Sequence, residues 1–294
     1  MKIVARRWLL VSGFWLFLLA TSNQLQATAY ADIVYTTSGD SIKGLVVEEH
    51  HDRVVLSTEE GERPILKKEI DEVFYDDAER NYLYLGNQAL EIGDFTLAKG
   101  FFQKALQIAP EFLEAQDGLH RLEDRRATAA NPGSVPKDPA AFLQKSLGLH
   151  LAQKDNWIFV EAVESGSLSA QAGFDAGDIF ISVWGDSLGF IPLEEAAQVL
   201  VGPPGSERKL TIERVVEIRW PGVHLEMGRL GLTVDKLEQG SPAAGILAPQ
   251  DRIVAIGEKA TRYMPLEEAR RLLDQGRRGG VRVRIHRDLL FKRN

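Results

Sequence analysis

The sequence predicts a multidomain α+β protein with three parts: a small N-terminal β-barrel or sheet, a helical hairpin, and two copies of one mixed module. Three observations predict it. Residues 32–77 alternate apolar and polar positions, the period of half-buried strands. Residues 79–126 change to a helical period. Beyond a Pro-rich stretch, a block of about 73 residues occurs twice.

Composition bounds the chemistry. A chain of 294 residues has room for two to four small domains. With 35 basic and 42 acidic side chains it lacks the basic footprint of a nucleic-acid binder. There are no cysteines. That excludes disulfides, thiolate-bound zinc, thiol nucleophiles and a lipidated N-terminal Cys. No metal site or cofactor is expected. "MKIVARR" is a basic leader, "WLLVSGFWLFLLA" an apolar core, and Ala29-Tyr30-Ala31 a small-x-small end. Residues 1–31 therefore read as an export signal, either cleaved or kept as an inner-membrane anchor, and the apolar core is short of a full bilayer span. The expected location is periplasmic.

Within residues 32–77 the runs "DIVYTT", "SIKGLVVEE", "RVVLSTEEG" and "RPILKKEIDEVFY" are divided by turn residues. This β-domain resembles the Sm-like barrels that precede helical repeats in exported bacterial proteins. Residues 78–126 hold Tyr82, Leu85, Gly86, Ala98, Phe102, Ala105 and Pro110. That spacing resembles a tetratricopeptide unit, with Ala89 where a Tyr is usual, followed by a capping helix. One such unit cannot bury a continuous core alone, so it should pack on a neighbouring domain or a partner. Residues 127–140 are rich in proline and small residues and read as an extended linker.

The repeat starts from "PLEEA", found at 192–196 and 265–269. Asp178–Arg214 aligns without gaps on Asp251–Arg287: "DIFISV" over "DRIVAI", "KLTIER" over "RVRIHR". Upstream, a one-residue shift sets "LGLHL" (147–151) over "PGVHL" (221–225). Each copy reads as a Gly loop, a hairpin, a "GS" turn, a short helix, an Asp-led strand, a helix after Pro and a last strand. This order resembles the PDZ domain, in 141–214 and 215–294. "SLGL" resembles its carboxylate loop, and "GSLSAQAGFDAGDIFISVWG" and "GSPAAGILAPQDRIVAI" its core signature.

The resemblance implies that a C-terminal peptide adds as a strand beside the groove helix while loop N–H groups hold its carboxylate. In the first copy it points to the N–H groups of Leu147, Gly148 and Leu149, with His150 and Leu151 on the peptide-pairing strand and Leu193, Ala197 and Leu200 on the helix. In the second copy the matching residues are Gly222, Val223, His224, Leu266 and Leu273. The better-looking "RLGLTV" at 229–234 lies too near the next turn to be that loop and is expected to be the second strand. The second loop then carries Pro221, which has no N–H, so its groove is expected to bind more weakly or to serve structurally. By resemblance, a His opening the groove helix selects Ser or Thr in the ligand. Leu193 and Leu266 stand there instead, implying ligands with hydrophobic last and antepenultimate residues. These leucines can alternatively be plain core residues.

Catalysis is not expected. "GDSLG" (185–189) offers Ser187, but it precedes the groove helix with no visible partners, and the chain lacks a protease domain. His50 and His51 share a turn without a third ligand at useful spacing. His150 and His224 align in the two copies and can face ligand or solvent. The basic run over 277–294 reads as a solvated face or a contact for anionic headgroups. Taken together, the sequence predicts a non-catalytic extracytoplasmic adaptor for envelope proteins with apolar C-termini. Two alternatives are a regulatory or delivery partner of a separate envelope protease and a membrane-tethered secretion component. Membrane contact would come only through an uncleaved signal or the basic C-terminus.

Overall fold

A computed structural model describes residues 31–219, 222–228, 231–276 and 279–292. The expected export signal lies outside them except for Ala31. Strands β1 (Asp32–Thr36), β2 (Ser41–Glu49), β3 (Arg53–Thr58), β4 (Gly61–Leu66) and β5 (Ile70–Phe74) form an antiparallel sheet in the order β4-β3-β2-β1-β5. Val34, Val54, Leu56, Ile65 and Val73 form its core, as the period-two pattern requires. The expected barrel is not closed. β4 and β5 end at opposite edges, and β4 carries Pro64, which cannot donate to a further strand. Buried Asp32 ties the sheet to the chain just before the first helix: its carboxylate accepts the N–H of Val46 at 2.8 Å and of Asp76 at 3.1 Å.

Three helices come next: α1 (Ala78–Glu91), α2 (Phe95–Ile108) and α3 (Leu113–Ala130). Asp94 caps α2 by accepting the Leu97 N–H at 2.9 Å. Phe102 of α2 is fully buried between two glycines. A Cβ on Gly86 of α1 would stand 2.5 Å from its ring, and one on Gly118 of α3 2.7 Å away. Both helices come this close because neither has a side chain there. α3 runs four residues into the stretch read as linker, so 127–130 are helical. At 138–142 the chain turns helical again. Asp138 caps α4 (Pro139–Phe142), which continues as a π turn over Leu143–Leu147.

The two repeats follow. The first contains β6 (Leu149–Lys154), β7 (Trp157–Val163), α5 (Leu168–Ala172), β8 (Ile179–Val183), β9 (Asp186–Ser187), α6 (Leu193–Val201) and β10 (Glu207–Ile218). The second contains β11 (Val223–Gly228), β12 (Gly231–Leu237), β13 (Arg252–Ile256), β14 (Lys259–Ala260), α7 (Leu266–Gln275) and β15 (Val281–Lys292). They share one ten-stranded sheet, with β11-β12-β13-β15-β10-β8-β7-β6 as its main path and β9 and β14 paired at its flanks.

β10 and β15 join the copies by a twelve-residue antiparallel pairing from Glu207↔Lys292 to Ile218↔Val281. On one face of β10, Leu210 and Ile212 enter the first core, while Val216 and Ile218 pack into the second. β15 does the converse. Val283 and Ile285 serve the second core, and Leu289 and Phe291 finish the first. Each last strand is thus shared, and the basic stretch over 277–294 is, where described, an integral strand. Val283, Ile285, Leu289 and Phe291 are buried, Val281 is half-buried, and even-numbered Arg282 and Arg284 face solvent.

The Asp of each Asp-led strand start is structural. Buried Asp178 binds Arg214 through two oxygens, with the Nε contact at 2.6 Å, and Asp251 binds Arg287 likewise, with Nε at 2.8 Å. Both arginines also reach a backbone carbonyl, that of Gly173 or Ile246. The parts are tied together by charges. Asp117 of α3 receives Lys209 at 2.6 Å, Asp124 pairs with Arg208, and His120 stacks on Trp184 at 4.0 Å. The helices thus pack on the first repeat, the neighbour that a lone helical unit needs.

Candidate functional site

Both free edges of the ten-stranded sheet belong to the hairpin strand after a glycine loop: β6 at one end, β11 at the other. Gly148 adopts the left-handed region at φ 66° and ψ 31°. A Cβ there would meet the Ser167 Cβ at 2.5 Å, so conformation and space both require glycine. Gly222 has φ 86°, with Ser241 in the matching place. In each copy the carbonyl of that glycine accepts an N–H at 2.8 Å, from Glu164 or from Glu238. Pro221 lies outside the described residues. β12 begins at Gly231 and pairs with β11, so the described part of "RLGLTV" is the second strand of the hairpin, as the spacing required.

The helix side is apolar in both copies. Leu147, Leu149, Leu151, Leu193, Ala197 and Leu200 belong to the first core cluster. Val223, Leu266 and Leu273 belong to the second, joined by Leu225, which sequence reasoning did not single out. One expectation changes. The Gly148 N–H does not stand free for a carboxylate, because it donates to the Gln144 carbonyl at 2.9 Å. Leu147 ends the π turn that brings Gln144 there. A loop preceded by a helix caps that helix, and the cap uses the amide.

His150 and His224 occupy matching places and do the same thing. Each ring Nε2 meets a carboxylate across the hairpin, Glu164 at 3.2 Å and Glu238 at 3.0 Å. They point away from the core, on the solvent side of the strands. Gln153 was not singled out from sequence. Its side-chain N–H donates to the Ile191 carbonyl at 3.1 Å, and its oxygen accepts the Leu193 N–H at 3.1 Å. This clamp fixes β6 to the start of α6. No sequence signal marks it, because a glutamine late in a strand reads as a solvent residue. Met227 is its counterpart and is 45% exposed.

A second constellation lies where the small sheet meets both repeats. Ser187 Oγ is 3.0 Å from His50 Nδ1, and His50 Nε2 is 2.9 Å from Glu48 Oε2. Glu48 also pairs with Arg262 of the second repeat. The His50 hydrogen bond and the Arg262 charge hold the Glu48 carboxyl down at about 2, against the opposing effect of burial. The His50 ring packs edge-on to Trp157 and Phe190, with the Arg53 guanidinium 4.0 Å above Phe190. Sequence reasoning left Ser187 without partners because they come from a strand end nearly 140 positions earlier. Among the described residues no cluster of three or more His, Asp or Glu is placed to hold a metal ion. Two open clefts of about 340 and 470 Å³ lie on the small sheet, near Asp40, and touch neither groove.

Residues 159–214, from within β7 to two thirds of the way along β10, match the family model described as PDZ domain. The chain is 38% identical over 118 residues to the human tight junction protein ZO-3, a match covering 39% of this chain and 13% of that protein. A solved structure of INAD PDZ3 in complex with a TRP channel tail is 26% identical, covers 25% of this chain and 84% of its own, and has a TM-score of 0.22. A structure of INAD PDZ45 with NORPA CC-PBM is 15% identical over 49% of this chain and 86% of its own, at TM-score 0.22. The photosystem II D1 C-terminal processing protease is 14% identical over 49% of this chain and 47% of its own, also at 0.22. The fold is mixed α+β with PDZ-like sheet domains, and the segment from 159 to 214 is similar to the PDZ domain model.

Proposed function

We propose that the protein is a non-catalytic adaptor that binds the C-terminal peptides of other proteins by adding them as a strand to a sheet edge. One observation carries this reading. β6 and β11 close the two ends of the shared sheet, each has one strand partner among the described residues, and each lies beside a helix that turns an apolar face to the core. An unpaired edge beside an apolar groove satisfies a peptide's backbone and side chains together. Leu193 and Leu266 at the helix starts favour ligands with hydrophobic last and antepenultimate residues. A C-terminal peptide library tested on the full chain checks this. Retention must depend on a free carboxylate, and enrichment for Ser or Thr at the antepenultimate position counts against it.

We further read residues 78–126 as a tetratricopeptide unit and residues 1–31 as an export signal, which makes the ligands envelope proteins, a separate protease among them. Sequencing the mature N-terminus checks the export reading: Asp32 as first residue supports it, and retained Met1 supports an anchored form or none. No described helix is long and apolar enough to cross a membrane.

A second reading rests on the Ser187–His50–Glu48 chain, which has the connectivity of an activated nucleophile. Against it, the Gly189 N–H already donates to Ser187 Oγ at 3.2 Å, and Glu48 shares its charge with Arg262. We favour a structural joint between domains. A fluorophosphonate probe separates the two: labelling of Ser187 that His50→Gln abolishes makes the protein a hydrolase.

A further inference from the structure

Resting on the adaptor reading, we propose that the two grooves are unequal, in the order opposite to the one the sequence suggests. The chain covers its first groove with its own residues 139–147, and ligand enters the second.

Four observations carry this. α4 lies against α6, the groove helix of the first repeat, and Ala140, Phe142 and Leu143 pack into that core. Ala197 of α6 lies in that core at 0% exposed, where the second repeat carries exposed Arg270. The Gly148 amide is spent on Gln144, so a ligand carboxylate would have to displace a made hydrogen bond. At the far end, Gln153 clamps β6 to Ile191 and Leu193, fixing the width between strand and helix. Opening the first groove therefore costs a helix cap, the burial of Leu143 and two clamp bonds before any ligand contact is made.

Among the described residues the second groove shows neither a helical turn against its groove helix nor a glutamine clamp. It is approached from β10, a strand, where the first is approached from a helix. Met227 replaces the Gln153 clamp and stands exposed. The helix differs in charge as well. Where α6 has buried Ala197 followed by Gln198, α7 has exposed Arg270 and Arg271. The partners of those arginines, Glu267 and Glu268, belong to the same helix, and such surface pairs contribute little and yield readily to a ligand. Exposed His224 lies on β11. The geometry fits an extended C-terminus whose apolar residues pack at half-buried Leu266 and whose acidic side chains meet Arg270.

The test uses the full chain and two synthetic decapeptides ending Asp-Leu-Glu-Val, one with a free C-terminus and one amidated. Hydrogen exchange is read at 223–228 and 149–154 with and without peptide. The expected result is protection at 223–228 alone, with one peptide bound per chain. Arg270→Glu should weaken binding by about tenfold, the effect of reversing one rim charge, and Leu143→Asp, by loosening the cover, should raise stoichiometry toward two. Protection confined to 149–154, or indifference to Arg270→Glu, overturns this inference while leaving the adaptor reading standing. Equal binding of the amidated peptide, or none by either peptide and none from a free-carboxylate library, overturns the adaptor reading itself. If Leu143→Asp fails to fold, exchange on the unaltered chain decides.

Discussion

Glu213 and His286 face each other at the middle of the β10–β15 pairing, and they are the same position in the two repeats, 73 residues apart. An internal two-fold relation between the copies passes between them. In a symmetric pair of identical chains this spot would bring like residues together. Here the two copies have become an acid and a base, with carboxylate and imidazole 3.3 Å apart and Arg284 at 3.5 Å from the same carboxylate.

That pair makes stability depend on pH. The His286 hydrogen bond, with Arg284 adding to it against burial, holds the Glu213 carboxyl below the ordinary glutamate value of 4.5. A carboxyl depressed in the folded state stabilises fully above its unfolded value, and that share is lost as pH falls through the folded value. Glu48, held at about 2, acts in the same window below 4.5. Urea midpoints measured from pH 6 down to 3 should therefore fall, and Glu213→Gln should flatten the slope. Identical slopes for the two proteins would remove Glu213 from the account.

Phe291 lies in the second repeat by sequence and in the first by packing. Phe291→Ala should cost about 3–5 kcal/mol, the usual loss for a buried ring. Its first symptom should be faster hydrogen exchange in β7 and β8, not in β11 and β12. Exchange changes confined to the second repeat would refute the shared core.

Gly86→Ala should destabilise the helical domain by about 1–3 kcal/mol, because its methyl has no room beside Phe102. Phe102→Leu in the same chain should recover part of the loss. Thermal unfolding of the two variants checks it, and a double variant worse than the sum of its parts would place the clash elsewhere.

Arg214→Ala leaves the Asp178 carboxylate buried without its partner and should cost about 3–5 kcal/mol. Arg214→Ala with Asp178→Asn removes the charge as well and should be milder. Arg287 and Asp251 should behave the same way in the second copy. A double variant no milder than the single would mean that the pair is not coupled.

Much of this was legible because turns and helix starts are local. Gly148, Gly166, Pro192 and their counterparts fix where each element begins, and the period of 73, with its one-residue shift upstream, aligned them. The shared strands were not legible. "VVEI" and "LLFK" read as strand, but nothing in their pattern names the core they enter, since pairing partners are set by the whole fold. The Gln153 clamp and the Ser187–His50–Glu48 chain were hidden for the same reason: their partners are distant in sequence. The helical turn over 139–147 straddled the expected boundary at 140, its first two residues read as linker and the rest as the start of the first repeat. Asp138 and Pro139, a capping residue and a first-turn proline, were the signal that could have revealed it.

The shared strands also set the order in which the protein can be made. While the chain emerges, the first repeat is complete in sequence well before β15 exists, yet its core still lacks Leu289 and Phe291. The last strand, when it arrives, covers the apolar surface left there and finishes both cores.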